Sequence, residues 1–223
     1  MVRSALPGNR SKSPGKVSSP GRPKDLGKRA AILEAAKRLF SSEGFNGASM
    51  DQIAAEAGVS KLTVYSHFGD KEALFSAAVR AKCEEMLPDD LFDIELKGPL
   101  QAQLRAIASA FFELISSDEA ISTQRMMMAL GQADDPLRNL FWEAGPQRTH
   151  QAFAVFLQSR VEAGELEIAD VGRATEQFFA LIKGEMHGRM MCGLCASPRQ
   201  VDVAAHVDAT VDMFLRAYGP RQR

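Results

Sequence analysis

Between Ser49 and Phe68 two short runs of helix-forming residues meet at a single glycine, and this stretch constrains the fold more than any other part of the chain. Ser49 followed three residues later by Gln52 has the form of a capping box, and Ile53, Ala54 and Ala57 then set small or apolar groups on one helical face. Gly58 follows the last apolar position, where a left-handed residue costs glycine little. Ser60 is placed to cap a second helix, in which Val64 and Phe68 share a face. Ala54, Ala55 and Ala57 let the two helices approach closely, so the pattern predicts a helix-turn-helix. The outer side of its second helix, with Lys61, Thr63, Tyr65 and His67, is left free to enter a groove, and these groups suit phosphates and base edges.

The helical period continues on both sides. From Asp25, Ile32, Ala36, Leu39 and Phe40 follow the spacing of a buried stripe until Gly44. On the opposite side Lys28, Arg29, Lys37 and Arg38 read mainly as a solvated face, with a phosphate contact as the alternative. Asp70 is placed to cap a helix whose inner stripe is Leu74, Phe75, Ala78 and Val79, running to Met86 or Leu87. Lys71 stands at its N-terminus, where a cation and free backbone amides suit a phosphate.

The residues that carry these signals also carry a resemblance. Lys28 to Phe40, then Gly44-Phe45, Gly47, Ser49 to Ala54, Glu56 to Lys61 and Thr63 to Phe75, resemble the N-terminal domain of tetracycline-repressor (TetR) type regulators, over roughly a quarter of the chain. The remainder is compatible with that family. The resemblance implies a DNA-binding transcriptional regulator, with a repressor as the expected sign. It would bind a palindromic double-stranded operator as a homodimer and be released by a small apolar or amphipathic effector. Carried onto this sequence, Lys61 and Thr63 with Ser60 and Leu62 would read the major groove, while Tyr65, His67, Lys71 and the Ser49 region would hold phosphates. The resemblance further implies that the last two long helices form a four-helix dimer interface.

Charge is divided along the chain: 12 Lys+Arg stand against 6 Asp+Glu in residues 1–71, and 15 against 22 in residues 72–223. A basic head and an acidic body are expected where one end alone meets phosphates, although chance asymmetry gives the same count. Residues 1–24 hold 4 Pro, 3 Gly and 5 Ser with 6 Lys+Arg and no acid, and are expected to be a disordered basic arm, either lying along DNA or simply solvated. Residues 25–71 are expected to form the DNA-binding domain, and 72–223 a helical ligand-binding and dimerisation domain.

In the body, Pro88 to Gly98 reads as an acidic connection, and Leu100, Leu104, Ile107, Phe111 and Ile115 as a strongly amphipathic helix. Asp118 or Ser117 suits the cap of a helix reaching Leu130. Pro136 starts another, Gly145-Pro146 interrupts it, and residues 147–163 resume. Two more helices are expected over about 171–194 and 198–218, with Val207, Val211 and Phe214 among apolar positions available to a partner subunit. Gly184 and Gly188, four apart, permit either close helix approach or a kink. No period-2 alternation stands out, so the expected fold class is all-α.

Phe111, Met128, Trp142 and Phe153 are candidate walls of an effector cavity, with Arg125, His150 and Gln177 as polar groups to orient a ligand; packing in the core is the competing reading for each. Cys192 and Cys195, near His187 and His206, form a lone Cys-x-x-Cys without the second pair of a zinc site, and read as small residues at a helix end. No metal or cofactor is therefore expected. No nucleophile elbow, phosphate-cradling glycine loop or His-Glu-x-x-His pair is present, so catalysis is not expected. With 45% hydrophobic residues, apolar runs too short to span a bilayer and no signal-peptide core, the expectation is a globular cytoplasmic protein without a membrane partner. The rival reading is a helical enzyme or small-molecule carrier with the helix-turn-helix as an interaction module. Salt-dependent binding to a palindromic duplex separates the two.

Overall fold

The computed structural model describes residues 25–92, 98–130, 136–195 and 202–220, and among them there are only helices and their connections. The expected basic arm, residues 1–24, lies outside the described residues. The head consists of α1 (Leu26–Gly47), α2 (Met50–Glu56) and α3 (Lys61–Phe68), followed by α4 (Lys71–Met86). The body is α5 (Leu100–Ser116), α6 (Asp118–Ala129), α7 (Pro136–Ala144), α8 (Pro146–Glu162), α9 (Val171–Met191) and α10 (Val203–Tyr218). The chain is therefore all-α, with a helix-turn-helix head followed by a helical C-terminal domain.

The caps fall where the sequence puts them. Gln52 N–H donates to Ser49 Oγ at 3.2 Å and Ser49 N–H to Gln52 Oε1 at 2.8 Å, completing the capping box. Gly58 takes the left-handed turn at φ 66°, and Thr63 and Ala73 N–H donate to the capping Ser60 and Asp70. Pro146 starts α8 at once after α7, where a proline lacking N–H loses nothing.

Two apolar cores result. In the head, Ile32, Ala36 and Phe40 of α1 enclose Ile53, Val64, Leu74 and Phe75. Phe75 stands edge-on to Phe40 and Phe45, at 5.3 and 5.5 Å between centroids. This core does not stop at residue 71: it takes in Leu74, Phe75 and Ala78 of α4 and also Met127 and Leu137 of α6 and α7. The body core gathers Phe111 and Phe112 of α5, Phe153 and Phe156 of α8, Phe178 and Phe179 of α9, and Phe214 of α10.

α6 joins the two. At Gly44 (φ 72°, ψ 173°) α1 is broken, which interrupts the regular i to i−4 ladder at Phe45 and Ser41. Phe45 N–H donates instead to Met126 Sδ at 3.0 Å, and Ser122 Oγ–H donates to the Ser41 carbonyl at 2.6 Å. Two side chains of α6 thus satisfy both backbone groups of the break.

A second glycine break lies in α9, at Gly184 (φ 51°, ψ −166°), so the four-apart glycines are not alike. A Cβ at Gly184 would stand 3.0 Å from the His206 ring of α10, whereas none at Gly188 would meet anything within 4 Å. The His206 Nε2 lies 2.9 Å from the Ile182 carbonyl, next to the break. Val207, Val211 and Phe214, offered by the sequence to a partner, are each 1% exposed and belong to the chain's own core. The open side of α10 is instead Ala205, Ala209, Met213 and Arg216.

Candidate functional site

α3 has one buried side chain, Val64, which fixes its rotation by entering the core built from α1, α2 and α4. That rotation points Lys61, Leu62, Tyr65 and Ser66 outward, and Leu62 is 79% exposed, an apolar group on an otherwise polar surface. A leucine there matches the apolar methyl edge of thymine, and the hydroxyls and ammonium match base-edge acceptors and phosphates. Ser66 was missed in the sequence reading; its place one turn beyond Leu62 is the signal that would have found it. Its Oγ–H rests on the Thr63 carbonyl at 2.8 Å. Lys61 is held by Asp51 of α2 at 2.9 Å, and that hydrogen bond and charge raise its pKa.

Other expected DNA contacts are committed within the fold. Ser49 serves the capping box, and the Ser60 hydroxyl serves Thr63 N–H and the Thr63 hydroxyl, at 2.8 Å for the latter. His67 is half-buried against Phe68, its Nδ1 enclosed and without a partner. Lys71 turns inward: its Nζ donates to the Ala48 carbonyl at 2.9 Å and sits 4.5 Å from the Phe45 ring centroid. Of the basic residues read as a solvated face, Lys37 is largely covered, bonded to Glu34 at 2.6 Å and to Glu85 at 2.8 Å, and Arg38 pairs with Glu56 at 2.6 Å.

Between head and body lies a cavity of about 800 Å³. Its size suits a drug-sized molecule. α1 contributes Lys37 and Phe40 to the wall, and α4 contributes Phe75, Ala78, Val79, Lys82, Cys83 and Glu85. α5 adds Phe111, Leu114 and Ile115, α7 adds Phe141 and Trp142, and α8 and α9 add Thr149, His150 and Lys183. Phe111, Met128, Trp142 and His150 of the expected ligand residues lie on this wall. The other three do not. Phe153 is fully buried in the body core, Gln177 accepts from the Tyr218 hydroxyl, and Arg125 donates to the Met190 and Met191 carbonyls at 2.5 and 3.0 Å. α6 therefore has two sides: Glu119, Ala120, Thr123, Gln124, Met127 and Met128 face the cavity, and Ser122, Arg125 and Met126 hold α1 and α9.

The His150 ring lies flat on Phe179, 4.9 Å between centroids, with Trp142 edge-on at 6.0 Å. Burial and then the charge of Lys183 lower its pKa, so the imidazole is neutral near pH 7. Burial pushes the Cys83 thiol up to about 11. Cys192 and Cys195 are free thiols, Cys192 exposed at the end of α9, and among the described residues no group of three or more His, Cys, Asp or Glu is placed to hold a metal ion. No helix among them is long and apolar enough to cross a membrane.

Comparison with known proteins bears on both ends of the chain. Residues 32–78 match the model of the bacterial regulatory proteins of the tetR family, and residues 102–220 that of the AefR-like transcriptional repressor C-terminal domain. The transcriptional activator FasR of Mycolicibacterium smegmatis is 33% identical over 91 residues, which are 41% of this chain and 42% of FasR. The chain thus spans less than half the length of that curated relative. A TetR-family regulator structure from Mesorhizobium loti MAFF303099 superposes with a TM-score of 0.74 at 26% identity, over 89% of this chain and all of the other. The structure of the flavonoid-responsive regulator FrrA does so with a TM-score of 0.65 at 32% identity, over 87% of this chain and 98% of FrrA.

Proposed function

This chain belongs to the TetR family of bacterial transcriptional regulators, and from that premise we propose that it is a cytoplasmic, non-enzymatic repressor. It binds a palindromic operator as a homodimer and is released by a small apolar or amphipathic molecule. The observation that carries this reading is the shared use of α1 and α4: with α2 they build the core that takes in Val64 of the recognition helix α3, and they also wall the cavity.

A molecule entering the cavity meets α4 along three turns, from Phe75 to Glu85. Half-sites read by a two-fold dimer lie about one DNA turn, roughly 34 Å, apart, so a small rotation of each α4 moves both α3 helices out of register. The ligand shifts the equilibrium only by its preference for the splayed state, and a factor of about ten needs only about 1.4 kcal/mol. The repressor sign is supported by the AefR-like repressor match, and responsiveness to a small molecule by FrrA. The open face of α10 at Ala205, Ala209 and Met213, two small residues that let backbones approach and one exposed apolar side chain, is the surface assigned to the partner subunit.

DNA reading is assigned to Lys61, Leu62, Tyr65 and Ser66, with Ser49, Ser60, Thr63, His67 and Lys71 shaping and flanking that surface. Selection from a random duplex pool should enrich a two-fold symmetric site. Lys61→Ala and Tyr65→Phe should each weaken binding to it without loss of helicity, and the lysine change should flatten the dependence of affinity on salt if it meets a phosphate. Wild-type affinity in both variants, or no symmetric site, would overturn the reading. A reporter driven by the selected site separates repression from activation.

A further inference from the structure

The cavity wall carries five cations, and four are already engaged. Lys37 is held between Glu34 and Glu85, Arg38 by Glu56, Lys82 by Glu119 at 3.6 Å, and Arg138 donates to the Leu130 carbonyl. The fifth, Lys183 on α9, has no ion-pair or hydrogen-bond partner among the described residues. Phe179 stands four residues before it, stacked on His150, and His187 four residues after it, 8% exposed with its Nε2 buried and unpartnered. Lys183 reaches water, yet the protein packed around it disfavours the ammonium and lowers its pKa. Burial, followed by the charge of Lys183, lowers the pKa of His150 and His187 too, with Glu176 acting the other way on His150, which places all three nitrogen groups in one neighbourhood.

We propose that Lys183 anchors a single negative charge on the effector, so that the ligand class is an amphipathic acid: an apolar, partly aromatic body carrying one anionic oxygen group. This deepens the cavity reading above and rests on it. Trp142, Phe111 and Met127 receive the body, while the anion accepts a charge-assisted hydrogen bond from the unpaired Lys183 ammonium at the edge of the wall. A cationic ligand meets an uncompensated like charge there, and a neutral one gains nothing from it, so Lys183 selects by charge where the rest of the wall selects by shape.

The test uses two fluorophores with one aromatic body, anilinonaphthalene sulfonate and uncharged phenylnaphthylamine, titrated into the full chain. Lys183→Met should weaken the sulfonate by about tenfold or more, the range of a charge-assisted hydrogen bond, and leave the uncharged amine unchanged. Lys183→Arg should keep both. Equal affinity of Lys183→Met and the wild type for the sulfonate, or an equal loss of both probes, would overturn the anchor while leaving the cavity reading intact. Ala120→Phe, checked for fold by circular dichroism, puts a ring into the cavity and should expel both. Undiminished binding of both to that variant would overturn the cavity reading and the anchor with it.

Discussion

Met126→Leu tests whether α6 holds the break in α1. Leucine keeps the volume and apolar character of methionine, so the packing change is small. What is lost is the acceptor for Phe45 N–H, now 3.0 Å from the thioether sulfur. A buried amide left without a partner costs about 1–3 kcal/mol. Here the site is half-buried and sulfur is a weak acceptor, so the lower end applies and about 1 kcal/mol is expected. Ser122→Ala removes the 2.6 Å bond to the Ser41 carbonyl and should cost about the same. The double variant is the more telling one. Phe45 N–H and the Ser41 carbonyl are the natural partners of an unbroken helix, and with both α6 groups gone they can turn back toward each other. The double cost should therefore fall short of the sum by about 0.5 kcal/mol or more. Urea denaturation followed by far-ultraviolet circular dichroism measures this as a shift of midpoint at constant slope. A Met126→Leu stability within about 0.3 kcal/mol of wild type, or strict additivity, would refute the reasoning.

Met213→Glu on the open side of α10 should yield a folded monomer by sedimentation that no longer binds the symmetric site. Phe214→Ala beside it, fully buried, should instead cost about 3–5 kcal/mol of stability, and the reverse pattern would put the interface on the wrong face. With its thiol held at about 11, Cys83 stays protonated at pH 8, so iodoacetamide should label exposed Cys192 well before it; mass spectrometry reads the order. The hydrogen bond from Lys37 holds the Glu85 carboxyl below its usual range, so its contribution is present above the unfolded pKa of about 4.3 and is lost as pH falls through the folded value. Lys37→Met should flatten acid destabilisation in that window by less than about 1 kcal/mol, since the carboxylate is half exposed, and an unchanged acid limb would count against the pair.

Helices were legible because their signals are local. Ser49 with Gln52, Asp70, and Gly145-Pro146 each fix a boundary within a few residues of themselves, and the structure starts or stops helices there. The resemblance was legible for the same reason, since the head's motifs are contiguous. What periodicity does not give is the identity of the neighbour. Phe214 and Val207 show an apolar stripe in either case, and only the fold decides that α5 and α9 cover it and not a second subunit. Lys71 looks like a free terminal cation until the Phe45 ring and the Ala48 carbonyl arrive from the other end of the head. The cavity assembles residues from Glu34 to Lys183, and a wall built from both ends of the chain leaves no local trace. Lys37 and Lys183 were therefore missed, while Trp142 and His150, which fall within one compact stretch, were found.

The two-sidedness of α6 bears on how a regulator of this kind diversifies. Attachment to the head and to α9 runs through Ser122, Arg125 and Met126, whereas Ala120, Thr123, Gln124, Met127 and Met128 meet whatever fills the cavity. On the proposed reading, substitutions at Ala120, Thr123, Gln124 and Met128 re-shape the chemical preference of the cavity and leave its linkage to the head untouched, whereas Met127 serves both because it is also buried in the head core. If the chain is ligand-released as proposed, those four positions can change with the inducer, while Ser122, Arg125 and Met126, together with Met127, carry the attachment that makes occupancy felt at the head.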